Sequence, residues 1–152
     1  QESLARGIGE AHRRYTRMIN FRENWRGHLW QERFGSFPMD DKYLLVAARY
    51  VELNPVRAGI ARVAQDYLWS SAGAHILGRD DGLVKASRLL EIVGDWKEFL
   101  SEGIGKEEVE RIRRHTRTGR PLGGEGFVRR LERELSRLLR PGRRGRPHKS
   151  QK

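Results

Sequence analysis

The chain of 152 residues contains no cysteine. This absence excludes a disulfide-stabilised scaffold and a zinc site built on thiolates. The sequence also lacks any apolar run near the roughly 20 residues that a membrane-spanning helix needs. Hydrophobic residues make up 37% of the chain and charged residues 34%, so a core is possible beneath a highly charged surface. We therefore expect a globular protein with no membrane partner.

Acidic residues are scarce in the last third of the chain. Residues 1–103 contain 15 lysines and arginines against 14 aspartates and glutamates, a net charge of +1. Residues 104–152 contain 16 against 6, a net charge of +10, and the two parts sum to the formal +11 of the chain. A near-neutral part followed by a basic segment is typical of a polyanion-binding protein, most often one that binds nucleic acid. A solvated tail or one that seeks a membrane surface is the alternative.

Apolar periodicity predicts a chain made mainly of helices. The first is under way almost at residue 1, and others are predicted at 42–53, 83–93, 95–102, 106–116 and 124–139. The segment 34–39 is predicted as a short edge strand, because Pro38 cannot donate to a sheet. Asp40 and Asp41 are predicted to cap the helix at 42–53, and the Asn54-Pro55 step is predicted to end it.

The end of the chain contains Arg-Gly-Arg-Pro at residues 144–147, which looks like an AT-hook. A narrow minor groove over A·T pairs accepts an extended Arg-Gly-Arg, because glycine has no side chain to collide with the groove floor. Arg143, Arg144 and Arg146 are therefore candidate DNA-binding residues. The alternative is a basic tail that contacts phosphates without preference. Residues 140–152 are too polar to bury a core, so this segment is predicted to be disordered when free.

The predicted helix at 124–139 has an arginine stripe opposite its apolar face. Arg129, Arg133 and Arg137 recur at helical spacing along this stripe. Such a stripe suits contact with a phosphate backbone, as in a helix-turn-helix protein. A solvated charged face is the alternative interpretation.

Residues 25–34 place aromatic side chains beside cations. Such a mixture suits stacking on unpaired bases, where each stack contributes about 1–3 kcal/mol. The alternative is that Trp30 and Phe34 anchor this connector to the core. The candidate DNA-binding residues in this stretch are His28, Trp30, Gln31 and Arg33.

Tyr50 and Asn54 lie one turn apart on the helix predicted at 42–53. A tyrosine on the apolar face of a helix is usually a core residue, and an asparagine before proline usually ends a helix. A phenol with a pKa of about 10 is scarcely ionised at neutral pH. A tyrosine nucleophile would therefore need a neighbour, such as a divalent metal, that polarises the phosphate and stabilises the developing charge. The amide oxygen of Asn54 is a suitable hard ligand for Mg²⁺ or Mn²⁺.

Several motifs occur in an order that resembles the REP-associated tyrosine transposases, which are single-tyrosine HUH transposases. The motifs are GHLWQERF (27–34), KYLLVAARYVELNPVRAGI (42–60), DYLWSSAGAH (66–75), TRTGRPLGGEGFVRRLE (116–132) and RRGRPHK (143–149). The resemblance implies metal-dependent cleavage and rejoining of single-stranded DNA beside hairpins. It implies that Tyr50 attacks a phosphate to give a 5′-phosphotyrosine, and that Asn54 is the third metal ligand. It also implies a bacterial, cytoplasmic, nucleoid-associated protein that is a monomer or a homodimer.

The sequence departs from that family in its histidines. The family's metal is also bound by a His-x-His pair on an upstream strand, whereas no two of the five histidines here are two residues apart. We therefore expect an N-terminally truncated fragment, inactive by itself, whose Mg²⁺ or Mn²⁺ would bind only together with the missing pair. The alternative function is a non-catalytic DNA-binding protein with a sequence or A·T preference.

The resemblance implies an α+β fold, a ferredoxin-like HUH domain. We expect the fragment to keep mainly the helices and one strand of that domain, followed by a helical extension and a basic tail. The expected division places the catalytic-domain part at 1–78, the helical extension at 79–139 and the tail at 140–152.

Overall fold

The computed structural model describes residues 3–31 and 34–141, in two compact units, Gln1–Ser36 and Phe37–Lys152. The second unit spans the predicted boundary at residue 78. In the first unit, helix α1 covers Leu4–Glu23. The Ser3 side chain accepts a hydrogen bond from the Arg6 amide at its start, and Asn24 ends it in a left-handed conformation. The predicted first helix is confirmed.

The second unit, as far as it is described, is a succession of short helices. None of the described helices in either unit is long and apolar enough to cross a membrane. The described part of this unit also contains one 3₁₀ turn, Ala64–Asp66. The helices are α2 (Asp41–Glu52), α3 (Asn54–Arg57), α4 (Ala72–Leu77), α5 (Ser87–Val93), α6 (Trp96–Ser101), α7 (Lys106–Thr118) and α8 (Glu125–Glu134).

The predicted α+β class, with a ferredoxin-like sheet, is wrong, because the described residues contain helices and no strand. The segment 34–39 forms no strand, and its pairing is one isolated parallel bridge between Met39 and Leu122. Leu122 donates its amide to the Pro38 carbonyl at 2.9 Å, and the Asp40 amide donates to the Leu122 carbonyl at 3.1 Å. The pairing stops there because Pro38 has no N–H to donate to the next carbonyl, and α2 begins at Asp41.

Both ends of α2 lie close to the predicted positions. Asp40 is the N-cap, with its Oδ1 accepting from the Tyr43 amide at 3.1 Å, so the predicted cap is confirmed. The helix ends at Glu52, close to the predicted end. Pro55 does not stop helical structure altogether, because it lies in the first turn of α3, where a missing N–H costs little.

The hydrophobic core lies on one side of α2. Its fully buried members come from the 3₁₀ turn, α4 and α6, and they are Ala64, Ala72, Trp96 and Leu100. Leu45, Ala48 and Leu53, at helical spacing, pack against them. Trp96 supplies the largest buried apolar surface, so α6 is a main anchor of this core. One face of α2 is thereby fixed, and the opposite face is left for other contacts.

The C-terminal helices return to α2. Helix α7 contacts α2 and buries Ile112. The Oδ2 atom of Asp40 accepts from the Gly124 amide at 2.8 Å, so the carboxylate that caps α2 also holds the chain at the start of α8.

The periodicity predicted that this helix ends near residue 139, but α8 ends at Glu134. Ser136 has a φ of 48°, which turns the chain out of the helix. The Glu132 carboxylate then accepts from the amides of Leu139 and Arg140, at 3.0 and 3.2 Å. The hydrogen bond from the Arg140 guanidinium, and to a smaller extent that from the Leu139 amide, lower the pKa of Glu132 to about 2. This carboxylate therefore stabilises a hooked end in place of a longer helix.

Candidate functional site

Tyr50 lies in the last turn of α2 and is partly exposed. The Arg57 guanidinium lies over its ring, 4.2 Å from the centroid. Arg57 reaches this position because its Nη1 donates to the Tyr50 carbonyl at 2.9 Å and its Nη2 donates to the Asn54 Oδ1. The short step from α2 to α3 therefore folds one cation onto the tyrosine.

A second cation approaches Tyr50 from α7. Arg113 donates to the Glu110 carboxylate at 2.8 Å. The Tyr50 hydroxyl and, to a smaller extent, this carboxylate raise the pKa of Arg113. Tyr50 and Arg113 also line one cavity of about 370 Å³, together with Glu110, Thr116 and Arg117. The tyrosine thus lies beside two arginines, and a third arginine lines the same cavity.

Tyr43 is also on α2, but it contacts a different side of α7. Arg111 donates from Nη1 to the Tyr43 hydroxyl. Arg111 and Arg113 flank the buried Ile112, and neighbouring residues of a helix point about 100° apart, at 3.6 residues per turn. Tyr50 alone of these two tyrosines lines the cavity.

The predicted metal ligand Asn54 lies at the start of α3, and its Oδ1 accepts a hydrogen bond from the Arg57 guanidinium. The part of the chain that is described contains no group of three or more histidine, aspartate or glutamate side chains able to hold a metal ion. The predicted Mg²⁺ or Mn²⁺ stays a prediction.

Glu52, two residues after Tyr50, is the centre of a buried network that the motifs did not reveal. Its side chain is 2% exposed. Oε1 lies 2.5 Å from the Ser71 hydroxyl and 2.6 Å from the His75 Nδ1, and Oε2 accepts from the Trp96 Nε1 at 2.7 Å. A signal was present in the sequence, because Glu52 continues the apolar stripe of Leu45 and Ala48.

The predicted DNA-binding residues of the first unit are placed as follows. His28 and Gln31 are exposed. Trp30 is 41% exposed, and one face of its ring stacks on His12 of α1 at 4.1 Å with an angle of 13°. Contact with α1 therefore covers one face of the indole. Arg33 lies outside the described residues.

The predicted arginine stripe at 129–137 is only partly a helical stripe. Arg129 is on α8 and pairs with Glu125 at 2.8 Å, and Arg133 is exposed on the last turn. Arg137 lies beyond the end of α8. Arg143, Arg144 and Arg146 of the predicted tail lie outside the described residues.

Comparison of the chain with family models, with curated proteins and with solved structures finds no match. A function for the Tyr50 site is therefore argued from its own side chains and from the ordered motifs around it.

Proposed function

We propose that Tyr50 is the nucleophile of a strand-transfer reaction on single-stranded DNA. The observation that carries this proposal is the position of Tyr50, which is partly exposed, has the Arg57 guanidinium over its ring and lines a cavity together with Arg113. Guanidinium groups bind phosphate oxygens strongly, and they stabilise charge that develops on a phosphate under attack. A tyrosine that served only the core would not need two cations beside it.

The reaction would proceed by direct displacement at phosphorus. The Tyr50 oxygen forms a bond to the phosphorus while the bond from phosphorus to the 3′-oxygen breaks. The phenol proton passes through solvent to the departing oxygen, which leaves a 5′-phosphotyrosine and a free 3′-hydroxyl. Attack by a 3′-hydroxyl on the phosphotyrosine reverses these steps and rejoins the strand.

The resemblance of the motifs to REP-associated tyrosine transposases supports DNA beside hairpins as the substrate and transposition as the process. Binding to DNA would also place the protein on the bacterial nucleoid. Arg57 and Arg113 hold the attacked phosphate in this proposal, and Tyr50 supplies the nucleophilic oxygen.

An activated substrate tests the nucleophile. A labelled single-stranded oligonucleotide with a p-nitrophenyl ester on its 5′-phosphate gives the same 5′-phosphotyrosine, with p-nitrophenol as the leaving group. Because p-nitrophenol leaves far more readily than a 3′-oxygen, we expect the chain to form an adduct with this ester even without the histidine pair that the resemblance implies. The adduct should survive denaturing electrophoresis, and peptide mass spectrometry should place it on Tyr50. Tyr50→Phe should lose the adduct entirely.

Tyr67→Phe is the matched control, because Tyr67 is also partly exposed but does not line the Tyr50 cavity. This variant should react like the unaltered chain. No adduct on the unaltered chain, or an adduct that persists in Tyr50→Phe, would overturn the assignment. DNA binding without any adduct would indicate the alternative, a non-catalytic DNA-binding protein.

A further inference from the structure

Helix α7 presents a row of charged side chains to the Tyr50 cavity. Glu110, Arg113 and Arg117 lie at positions i, i+3 and i+7, so they follow one face of the helix. Arg113 and Arg117 are one turn apart, which places their Cβ atoms about 6 Å from each other. That separation is comparable to the distance between neighbouring phosphates in a nucleic-acid strand.

The two arginines of this row differ in their existing partners. Arg113 pairs with Glu110 at 2.8 Å and lines the cavity beside Tyr50. No described carboxylate pairs with Arg117, which is exposed and lines the cavity. A guanidinium in a concave site without a counter-ion attracts an anion from solution. Arg117 is therefore the cation of this row that is free to take a new partner.

We propose that this face of α7 holds two consecutive phosphodiester groups of one DNA strand, the first between Arg57 and Arg113 at Tyr50 and the second at Arg117. The inference rests on the proposed function and assigns the substrate's path along α7. A cavity of about 370 Å³ is large enough for a short piece of one backbone. The strand passes Tyr50 and continues toward the C-terminal end of α7.

The structure favours this face over the arginines of α8. Arg129 and Arg133 do not line the Tyr50 cavity, and Arg137 lies beyond the end of α8. Arg113 and Arg117 line the same cavity as the proposed nucleophile. A phosphate bound there would lie next to the attacking oxygen. Arg129, Arg133 and Arg140 line a separate cavity of about 470 Å³ at α8, but no tyrosine lines it.

The salt dependence of binding tests the path. Binding of a labelled 20-nucleotide oligothymidine to the full chain is measured by fluorescence anisotropy between 50 and 200 mM salt. Each phosphate contact contributes about 0.7 to the slope of log K against log salt concentration for a single strand. Arg117→Gln should lower the slope by about 0.7 and weaken binding roughly threefold at low salt, and Arg113→Gln/Arg117→Gln should lower it by about 1.4.

Arg88→Gln is the matched control, because Arg88 is exposed on α5 and does not line the cavity. It removes the same charge and should leave the slope nearly unchanged. Urea unfolding midpoints equal to that of the unaltered chain would show that all variants are folded. Equal effects of Arg88→Gln and Arg117→Gln would overturn the path, as would RNA or duplex DNA that binds at least as tightly with the same dependence on Arg117.

The adduct assay separates the two proposals. An adduct on Tyr50 together with no special effect of Arg117 would remove the path and keep the nucleophile. A slope that falls with Arg117→Gln, without any adduct on the unaltered chain, would keep the phosphate site and remove the nucleophile.

Discussion

Glu52 and Tyr50 are two residues apart on the same helix, and their surroundings are opposite. The Glu52 carboxylate is almost fully buried and has three hydrogen-bond partners from outside α2. The Tyr50 phenol faces a cavity and has arginines as neighbours. On one side of α2 every polar atom of the key residue is satisfied within the protein. On the other side, Arg57, Arg113 and Arg117 outnumber the one carboxylate, Glu110, so this side can bind an anionic ligand.

The buried side gives the open side its geometry. A buried carboxylate is costly unless hydrogen bonds satisfy it. The three partners of Glu52 come from Ser71, His75 and Trp96, which lie at or near α4 and α6. Only one orientation of α2 about its axis lets Glu52 reach all three. Because Tyr50 is on the same rigid helix, this network also fixes where the phenol lies.

The largest effect is expected for Glu52→Ala, which removes the acceptor of the whole network. Three donors lose their shared partner in a buried site, so the free energy of unfolding should fall by about 3 kcal/mol or more. Urea unfolding followed by circular dichroism measures it. Glu91→Ala, at an exposed position of α5, should change stability by less than about 0.5 kcal/mol. Equal effects of the two changes would refute the structural role of Glu52.

A smaller effect is expected for Trp96→Phe. The phenyl ring keeps most of the aromatic packing beside His75 and Phe99, whose rings lie 4.7 and 4.8 Å from that of Trp96. The Nε1–H donor is lost and Oε2 of Glu52 is left without its partner, which should cost about 1–3 kcal/mol. Trp69→Phe is the control, because Trp69 is 87% exposed. A loss no larger than that of the control would show that the indole hydrogen bond contributes nothing.

The smallest effect on stability is expected on the open side, for Glu110→Gln. The ion pair between Glu110 and Arg113 is solvent-exposed, and such pairs stabilise folded proteins little, so the urea midpoint should barely move. Binding of single-stranded oligothymidine should instead become roughly two- to fivefold tighter, because the cavity loses a negative charge that competes with phosphate. Unchanged or weaker binding would contradict the view that this cavity binds an anion.

Local features of the fold were predictable and distant contacts were not. The Asp40 cap and the presence of α1 and α2 depend on residues within a few positions of one another. The predicted sheet is wrong because one short segment cannot form a sheet by itself, and Pro38 and the start of α2 limit its pairing to a single bridge. The end of α8 depends on Glu132 binding amides seven and eight residues later, which apolar periodicity cannot show.

The site was predictable in part for the same reason. The motifs indicated Tyr50 and Asn54 because both lie in one short stretch of α2 and α3. Arg113 is 63 residues from Tyr50, so no spacing rule connects the two. Periodicity identified arginine-rich helices but could not tell which arginine meets which helix. The stripe chosen from the sequence, at 129–137, is not the one that lines the Tyr50 cavity.

The double role of Asp40 has a consequence for how the second unit opens. One carboxylate protects the Tyr43 amide in α2 and the Gly124 amide before α8, through its two oxygens. Local opening of a protein proceeds in cooperative units defined by shared contacts. When Asp40 moves, both amides lose their acceptor at once, so the start of α2 and the start of α8 exchange with solvent as one unit. The start of α8 is therefore part of the same cooperative unit as α2, the helix that carries Tyr50.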